Sequence, residues 1–151
     1  MPSVCDHTSV GIIVKNKKGH VLLIERAQFP PGWAPPAGHI DKKYGSAAEA
    51  AQRGLEEEVG LYVRQSDLKE IHYRIHYNKC RREDGWFHWW WVFEAKKWAG
   101  RVRVKKDEAR AHLWAGPRKM QELIAAHQLD PVWGKEIFPK LLRPKLVLGK
   151  K

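Results

Sequence analysis

The order of the predicted elements favours an α/β fold, an α/β/α sandwich built around a mixed β-sheet. Short β-branched and aromatic segments alternate with helical segments along the whole chain of 151 residues. One helix in the middle of the chain also carries clear start and stop signals. The length suffices for one domain with a full core. We therefore expect a single domain over residues 1–151 that ends in a basic tail at about residues 144–151.

The composition is that of a globular protein with excess positive charge. Hydrophobic residues make up 43%, charged residues 30%, and the formal net charge is +11. Such a charge fits a polyanionic partner, and equally a basic surface kept for solubility. Cys5 and Cys80 lack C-x-x-C spacing, which argues against a disulfide framework and a zinc site. Because no apolar run approaches membrane-spanning length and no signal-peptide pattern is present, we expect a cytoplasmic protein.

Two strands and a proline-rich loop open the chain. Residues 8–14 are β-branched and apolar, and residues 20–24 form a second apolar run after a polar turn, so both predict strands. Residues 29–36 contain too many prolines for a regular element and predict an ordered loop.

The central helix is predicted over residues 47–59. Ser46 can cap its first turn, with Glu49 completing a capping box, and Gly60 suits a left-handed C-terminal cap. Four apolar residues recur at helical spacing and predict the face that packs on the core. They are Ala48, Ala51, Leu55 and Val59.

Three carboxylates crowd the last turn of this helix, at Glu56, Glu57 and Glu58. The helix dipole opposes each of them by roughly 0.3 to 1 kcal/mol. A solvated helix end is the simple interpretation. A divalent cation would remove the conflict, and Mg²⁺ needs only one or two carboxylates besides phosphates and water. Two adjacent glutamates therefore suffice for a predicted metal site.

The stretch of residues 38–61 resembles the Nudix box, G-x5-E-x7-R-E-U-x-E-E-x-G-U, in which U is aliphatic. The matching residues are Gly38, Arg53, Leu55, Glu57, Glu58, Gly60 and Leu61. The loop of this chain is one residue longer and lacks the early Glu, and Gly54 replaces the first Glu of the R-E-U-x-E-E core. The resemblance implies a Nudix-like fold that hydrolyses a phosphoanhydride bond in a nucleoside diphosphate linked to another moiety, with Mg²⁺ or Mn²⁺.

The resemblance also implies roles for individual residues. Arg26 would hold a substrate phosphate, with a surface salt bridge as the alternative, and Arg53 would orient a glutamate. The expected metal ligands are the backbone carbonyl of Ala37 and the carboxylates of Glu57 and Glu58. With Gly54 in place of a glutamate, the base is unassigned. Asp107 and Glu108 are both candidates, and a solvated turn is their alternative interpretation.

Two further strands are predicted after the box. Residues 68–77 alternate as a half-buried strand, and residues 87–95 are apolar on both faces, which favours a central position in the sheet. Trp33, His88 and Trp90 are candidates for contact with a substrate base, with structural packing as the alternative. Beyond them, residues 101–106 and 110–114 predict strands, and residues 117–127 and 134–142 predict helices.

Two functional classes remain open at this point. The first is a Nudix-type pyrophosphohydrolase acting on a small nucleotide or diphosphate. The second is a catalytically impaired Nudix-fold module that binds RNA or nucleotides. Gly54 favours the module, whereas the retained Glu57 and Glu58 favour the enzyme, because a pure polyanion binder gains nothing from acids in its cleft. We expect no membrane partner, and a homodimer is among the alternatives for the oligomeric state.

Overall fold

A computed structural model describes residues 4–41 and 43–141, so the predicted basic tail lies outside the described residues. The strands are β1 (Thr8–Val14), β2 (Val21–Arg26), β3 (Trp33–Ala34), β4 (Ala37–Gly38), β5 (Leu61–Tyr62), β6 (Leu68–His76), β7 (His88–Ala95), β8 (Ala99–Gly100) and β9 (Ala109–Ala115). The helices are α1 (Ala47–Val59), α2 (Pro117–Ala125) and α3 (131–141), with a short 3₁₀ turn at Gln65–Asp67. In the described part of the chain, no helix is long and apolar enough to cross a membrane.

The main sheet is mixed. Its strand order is β4-β1-β7-β6, in which β1 and β7 run parallel and the other neighbours run antiparallel. The central position predicted for β7 from its two apolar faces is thus found. A second, antiparallel sheet has the order β3-β2-β9, and β5 pairs with β8.

The core lies on both sides of the strands. Leu22 of β2 packs in the cluster that contains α1, whereas its neighbour Leu23 packs in the cluster that contains α2 and α3. Both leucines are fully buried, which contributes roughly 1.5 to 3 kcal/mol each. Because successive strand residues face opposite sides, helices cover both faces, as the predicted sandwich requires.

Helix α1 has the predicted bounds and caps. The N–H of Glu49 donates to Ser46 Oγ at 3.1 Å, and Gly60 takes the left-handed conformation with φ of 75°. The Glu49 carboxylate accepts from the N–H of Gly45 at 3.2 Å, instead of from Ser46 as a reciprocal capping box would have it. The helix end that carries the acids is therefore firmly positioned.

Several predicted elements differ in detail. Residues 101–106 do not form a strand. They run along the end of α1, where the N–H groups of Arg103 and Lys105 donate to the carbonyls of Val59 and Glu58 at 2.9 and 3.0 Å. These bonds satisfy carbonyls that the helix end leaves unpaired, which explains the extended path.

Three other differences arise from tertiary packing. A bulge between Glu70 and His72 breaks the predicted alternation of β6, so that His76 is buried and Tyr73 is exposed. The proline-rich loop contains the short strand β3. Helix α3 begins before residue 134 and includes a π-helical segment, Val132–Ile137.

Candidate active site

A cleft of about 450 Å³ lies beside the C-terminal end of α1. It gathers residues from β2, β4, α1, β7, α3 and the loop before β9. The predicted site residues that line it are Arg26, Ala37, Glu58, His88, Trp90 and Glu108. A smaller adjoining cleft of about 200 Å³ shares Ala37 and Glu58 and adds Gly54 and Glu57. The fold thus brings together two glutamates and an arginine that lie far apart in the chain.

Glu58 has a strongly perturbed carboxyl group. Burial raises its pKa to about 8, and the nearby Glu108 acts in the same direction, while Arg26 opposes the shift. A Cβ atom at Gly38 would lie 3.6 Å from Glu58 Oε1, so the carboxyl group packs close to the β4 backbone. In the absence of a cation, this raised pKa favours the neutral, protonated acid at pH 7. A bound metal ion would favour the ionised carboxylate instead.

Glu57 lies at the exposed rim of the smaller cleft. Its Oε2 atom accepts a hydrogen bond from the Tyr44 hydroxyl at 3.3 Å and lies 3.8 Å from Lys43 Nζ. Both partners belong to the loop that is one residue longer than the family pattern. The lengthened loop therefore reaches an acid of the box.

Gly54 borders the smaller cleft one turn before Glu58. A Cβ atom built there would meet no atom within 4 Å beyond its chain neighbours and the helix backbone. Close packing therefore does not explain this glycine, and the missing glutamate leaves open space beside the acids.

Arg26 provides positive charge beside the acids of the larger cleft. Its Nε–H group donates to the carbonyl of Pro30 at 2.8 Å, which fixes the side chain. Its charge lowers the pKa values of two acids of the cleft, Glu58 and Asp130. Burial nevertheless raises the pKa of Asp130 to about 6.

Asp130 was missed in the sequence analysis. It is 4% exposed, lines the larger cleft, and accepts from the N–H of Val132 at 3.0 Å as it caps α3. The Asp-Pro pair at residues 130–131 is a helix-start signal that could have located it.

Trp90 and His88 form a fixed wall. Trp90 is 5% exposed, and its ring meets the Trp133 ring edge to face at 5.4 Å. Trp90 Nε1–H donates to Asn78 Oδ1 at 3.2 Å, and His88 Nδ1 lies 3.0 Å from the same oxygen. Trp133, which the sequence analysis did not single out, lines the same cleft. These contacts show that both predicted residues are anchored in the core while bordering the cleft.

Three predicted site residues lie elsewhere among the described residues. The Asp107 side chain is exposed, and the backbone carbonyl of this residue accepts a hydrogen bond from Gln28 Nε2 at 2.6 Å. Trp33 packs against the core beside α2 and α3, in line with its structural alternative. Arg53 is exposed and lines neither cleft. Of the two candidate bases, only Glu108 borders the cleft.

The family model described as the NUDIX domain matches residues 6–140, and the chain belongs to this family. The predicted family and fold class are confirmed, and membership supports the predicted Nudix-type enzyme. Nudix hydrolases use divalent metal cations.

Solved structures with the same fold share little sequence with this chain. A MutT NUDIX hydrolase from Burkholderia pseudomallei is 24% identical over 72% of this chain and 81% of its own, with a TM-score of 0.62. The E. coli dihydroneopterin triphosphate pyrophosphohydrolase is 16% identical over 91% and 96%, with a TM-score of 0.65. A bifunctional NMN adenylyltransferase/ADP ribose pyrophosphatase from Francisella tularensis is 18% identical over 96% of this chain and 43% of its own, with a TM-score of 0.63. No curated protein sequence matches the chain at a significant level.

Proposed function

We propose that this protein hydrolyses a phosphoanhydride bond in a nucleoside diphosphate linked to another moiety, with the help of Mg²⁺ or Mn²⁺. The observation that carries the proposal is the meeting of Glu58, Glu108 and Arg26 in one cleft of about 450 Å³. Carboxylates that line a cleft suit a divalent cation, and a guanidinium suits the phosphates that such a cation accompanies.

The donor atoms fit the proposed metal. Glu57, Glu58 and the backbone carbonyl of Ala37 offer hard oxygen ligands along the smaller cleft, and these residues would hold the ion. Without the ion, burial holds the pKa of Glu58 at about 8. A bound cation would supply the positive charge that stabilises the ionised carboxylate. When bound, a divalent ion polarises a phosphoryl oxygen and lowers the pKa of a water ligand.

Arg26 would bind a substrate phosphate. Its Nε–H is engaged by Pro30, which leaves the terminal N–H groups of the guanidinium for a bidentate contact. Lys79 and Arg81 line the same cleft and add positive charge for a polyanionic substrate.

Glu108 would accept the proton of the attacking water. It borders the cleft close enough to Glu58 to influence its pKa, whereas Asp107 is exposed. Arg53 lies one helical turn before Glu57 and would orient that carboxylate from the solvent side. Trp90 and Trp133 would give the substrate an apolar wall.

Similar folds are found in proteins that are described with phosphorylated ligands or substrates. The Francisella protein was crystallised with AMP and a manganese ion, and the E. coli protein is described as acting on dihydroneopterin triphosphate. The AMP and the manganese ion of the Francisella protein support a nucleotide-like substrate and Mn²⁺ or Mg²⁺ as the ion.

Three observations favour a second candidate, a catalytically impaired module that binds RNA or nucleotides. Gly54 leaves the box one acid short, and Glu57 is engaged by Lys43 and Tyr44. In addition, Tyr73 and Trp89 stack at 5.4 Å on an exposed face of the sheet, where a base could join them.

A substrate screen tests the enzyme directly. Nucleotide sugars, dinucleoside polyphosphates, ADP-ribose and nucleoside triphosphates would be incubated with Mg²⁺ and with Mn²⁺. We expect hydrolysis of at least one class, and a loss of at least about 100-fold in Glu58→Gln. Glu56→Gln is the matched control, because Glu56 is exposed on the same helix turn and borders neither cleft. Absence of turnover with a folded, metal-binding protein would favour the binding module.

A further inference from the structure

A second group of metal-binding side chains lies on the wall of the larger cleft, apart from the carboxylates. It consists of two thiols and two imidazoles, whose ligand atoms all lie within 4.8 Å of one another. The members of this thiol–imidazole cluster are Cys5, His39, Cys80 and His88. They come from the segment before β1, the loop after β4, the β6–β7 loop and the first residue of β7.

The separations of Cys5 from the other three ligands match a tetrahedral zinc site. Cys5 Sγ lies 3.3 Å from His88 Nε2, 3.7 Å from His39 Nε2 and 3.8 Å from Cys80 Sγ. With Zn–S bonds of about 2.3 Å and Zn–N bonds of about 2.0 Å, a tetrahedron separates two sulfurs by about 3.8 Å and a sulfur from a nitrogen by about 3.5 Å. The three distances from Cys5 agree with these values to within about 0.3 Å, and the other pairs of ligand atoms lie within 4.8 Å of one another.

Hydrogen bonds outside the cluster orient the His88 ring for coordination. Asn78 Oδ1 lies 3.0 Å from His88 Nδ1 and accepts from Trp90 Nε1–H at 3.2 Å. Because an indole nitrogen can only donate, the shared Asn78 atom is the acceptor oxygen, and Nδ1 of His88 therefore carries the proton that it donates to this oxygen. Nε2 then presents its lone pair toward Cys5. Such an outer partner is the usual support of a zinc-bound histidine.

Backbone donors support both sulfurs. The N–H of His7 donates to Cys5 Sγ at 3.3 Å, and the N–H of Arg82 donates to Cys80 Sγ at 3.4 Å. In each case the donor lies two residues after the cysteine, and it would stabilise a thiolate. A side chain at Gly85 would collide with Cys80 Sγ, so this glycine leaves room for the sulfur.

The loops that carry the cluster are tied to one another. The Arg82 guanidinium binds both carboxylate oxygens of Asp41, at 2.6 and 3.1 Å, and so joins the β6–β7 loop to the loop that holds His39. The N–H of Cys5 donates to the carbonyl of Glu83 at 2.8 Å. The four ligands are therefore assembled by contacts that do not depend on an ion.

We propose that the thiol–imidazole cluster is a structural zinc site. On binding, each thiol gives its proton to solvent, and the two thiolate charges balance those of Zn²⁺ while the imidazoles stay neutral. Four protein ligands complete the tetrahedron and leave no position for a substrate, which distinguishes a structural from a catalytic zinc. The site goes beyond the proposed hydrolase, whose oxygen ligands suit Mg²⁺ or Mn²⁺ instead.

Zinc content and cobalt spectroscopy test the proposal on the full chain. Protein purified under reducing conditions would be stripped of metal, titrated with Zn²⁺ against a chelating dye, and separately titrated with Co²⁺. We expect one zinc per chain, a thiolate-to-cobalt charge-transfer band, and the strong visible absorption of tetrahedral Co²⁺. Zinc should also raise the thermal midpoint of unfolding, because it binds only the folded site.

Variants separate this site from the carboxylate site. Cys80→Ser and His39→Asn change partly exposed ligands, and each should raise the Kd for zinc at least about 100-fold. His112→Asn changes an exposed histidine of β9 and should keep both zinc and the cobalt spectrum. Glu58→Gln should likewise keep zinc while it loses Mg²⁺ or Mn²⁺. Circular dichroism of each variant shows whether it is folded.

Three results would overturn the proposal. One is a reduced wild-type protein that takes up neither Zn²⁺ nor Co²⁺. Another is a cobalt spectrum that Cys80→Ser leaves unchanged. The third is a Cys5–Cys80 disulfide, found by mass spectrometry, in a protein that binds no zinc after reduction.

Discussion

Replacing Glu58 by glutamine should stabilise the metal-free protein, although we propose that it removes a metal ligand. Burial raises the pKa of this carboxyl group from its ordinary value of 4.5 to about 8. Between these two pH values the folded protein binds a proton that the unfolded chain has lost. Stability contributed by this group is therefore complete below pH 4.5 and falls as the pH rises toward 8.

The size of the effect follows from this pKa difference. Neutral pH lies about 2.5 units above the ordinary pKa, and each unit corresponds to about 1.4 kcal/mol. The wild-type protein should therefore lose about 3 kcal/mol between acidic and neutral pH through Glu58 alone. A glutamine cannot ionise and avoids this loss, so Glu58→Gln should be more stable than the wild type by about that amount at neutral pH.

Urea unfolding in the presence of a chelator, at several pH values from about 5 to about 8, measures the difference. The gap between Glu58→Gln and wild type should widen as the pH rises, while Glu56→Gln should follow the wild type. Adding Mn²⁺ should then stabilise the wild type more than the Glu58→Gln variant. Parallel pH profiles of wild type and Glu58→Gln, or a variant that is less stable at neutral pH, would refute the reasoning.

Three further predictions follow from the site and the sheet. Gly54→Glu should fold, because the space beside Gly54 is open, and it should raise kcat/KM at least about tenfold by adding a metal-binding acid beside Glu57 and Glu58. An unchanged or lower rate in a folded variant would mean that the remaining acids already complete the metal site. Arg26→Lys should lower kcat/KM by about tenfold, mainly by raising KM, since an ammonium group cannot make the bidentate contact of a guanidinium. Equal kinetics of variant and wild type would mean that Arg26 does not bind the substrate phosphate. Burial lowers the pKa of His72 from 6.5 to about 4, and His76 Nε2 at 2.9 Å acts in the same direction. Stability should therefore fall as the pH drops through that range, and chemical unfolding of His72→Asn should show a shallower decline.

Local signals in the sequence predicted the parts of the fold that depend on neighbouring residues. The bounds of α1 follow from Ser46 and Gly60, which act within one helical turn of the positions that they cap. The central place of β7 follows from its two apolar faces, and the box motif lies within one loop and helix. These features could be predicted because their determining interactions are short-range along the chain.

Tertiary structure decided the details of the site. Asp107 and Glu108 are adjacent in sequence and chemically equivalent there, yet only Glu108 borders the cleft, because the path of residues 101–108 along α1 sets which side chain points inward. The bulge in β6 buries His76 against the predicted alternation.

The thiol–imidazole cluster shows this limit most clearly. Cys5 lies 34, 75 and 83 residues from His39, Cys80 and His88, so chain spacing alone argued against a zinc site. The parallel pairing of β1 with β7, and the ties between the loops at their ends, bring these four side chains together. The spacing of residues in a motif can reveal only ligands that lie in one local segment. A site assembled from separate segments depends on the strand pairing that brings those segments together.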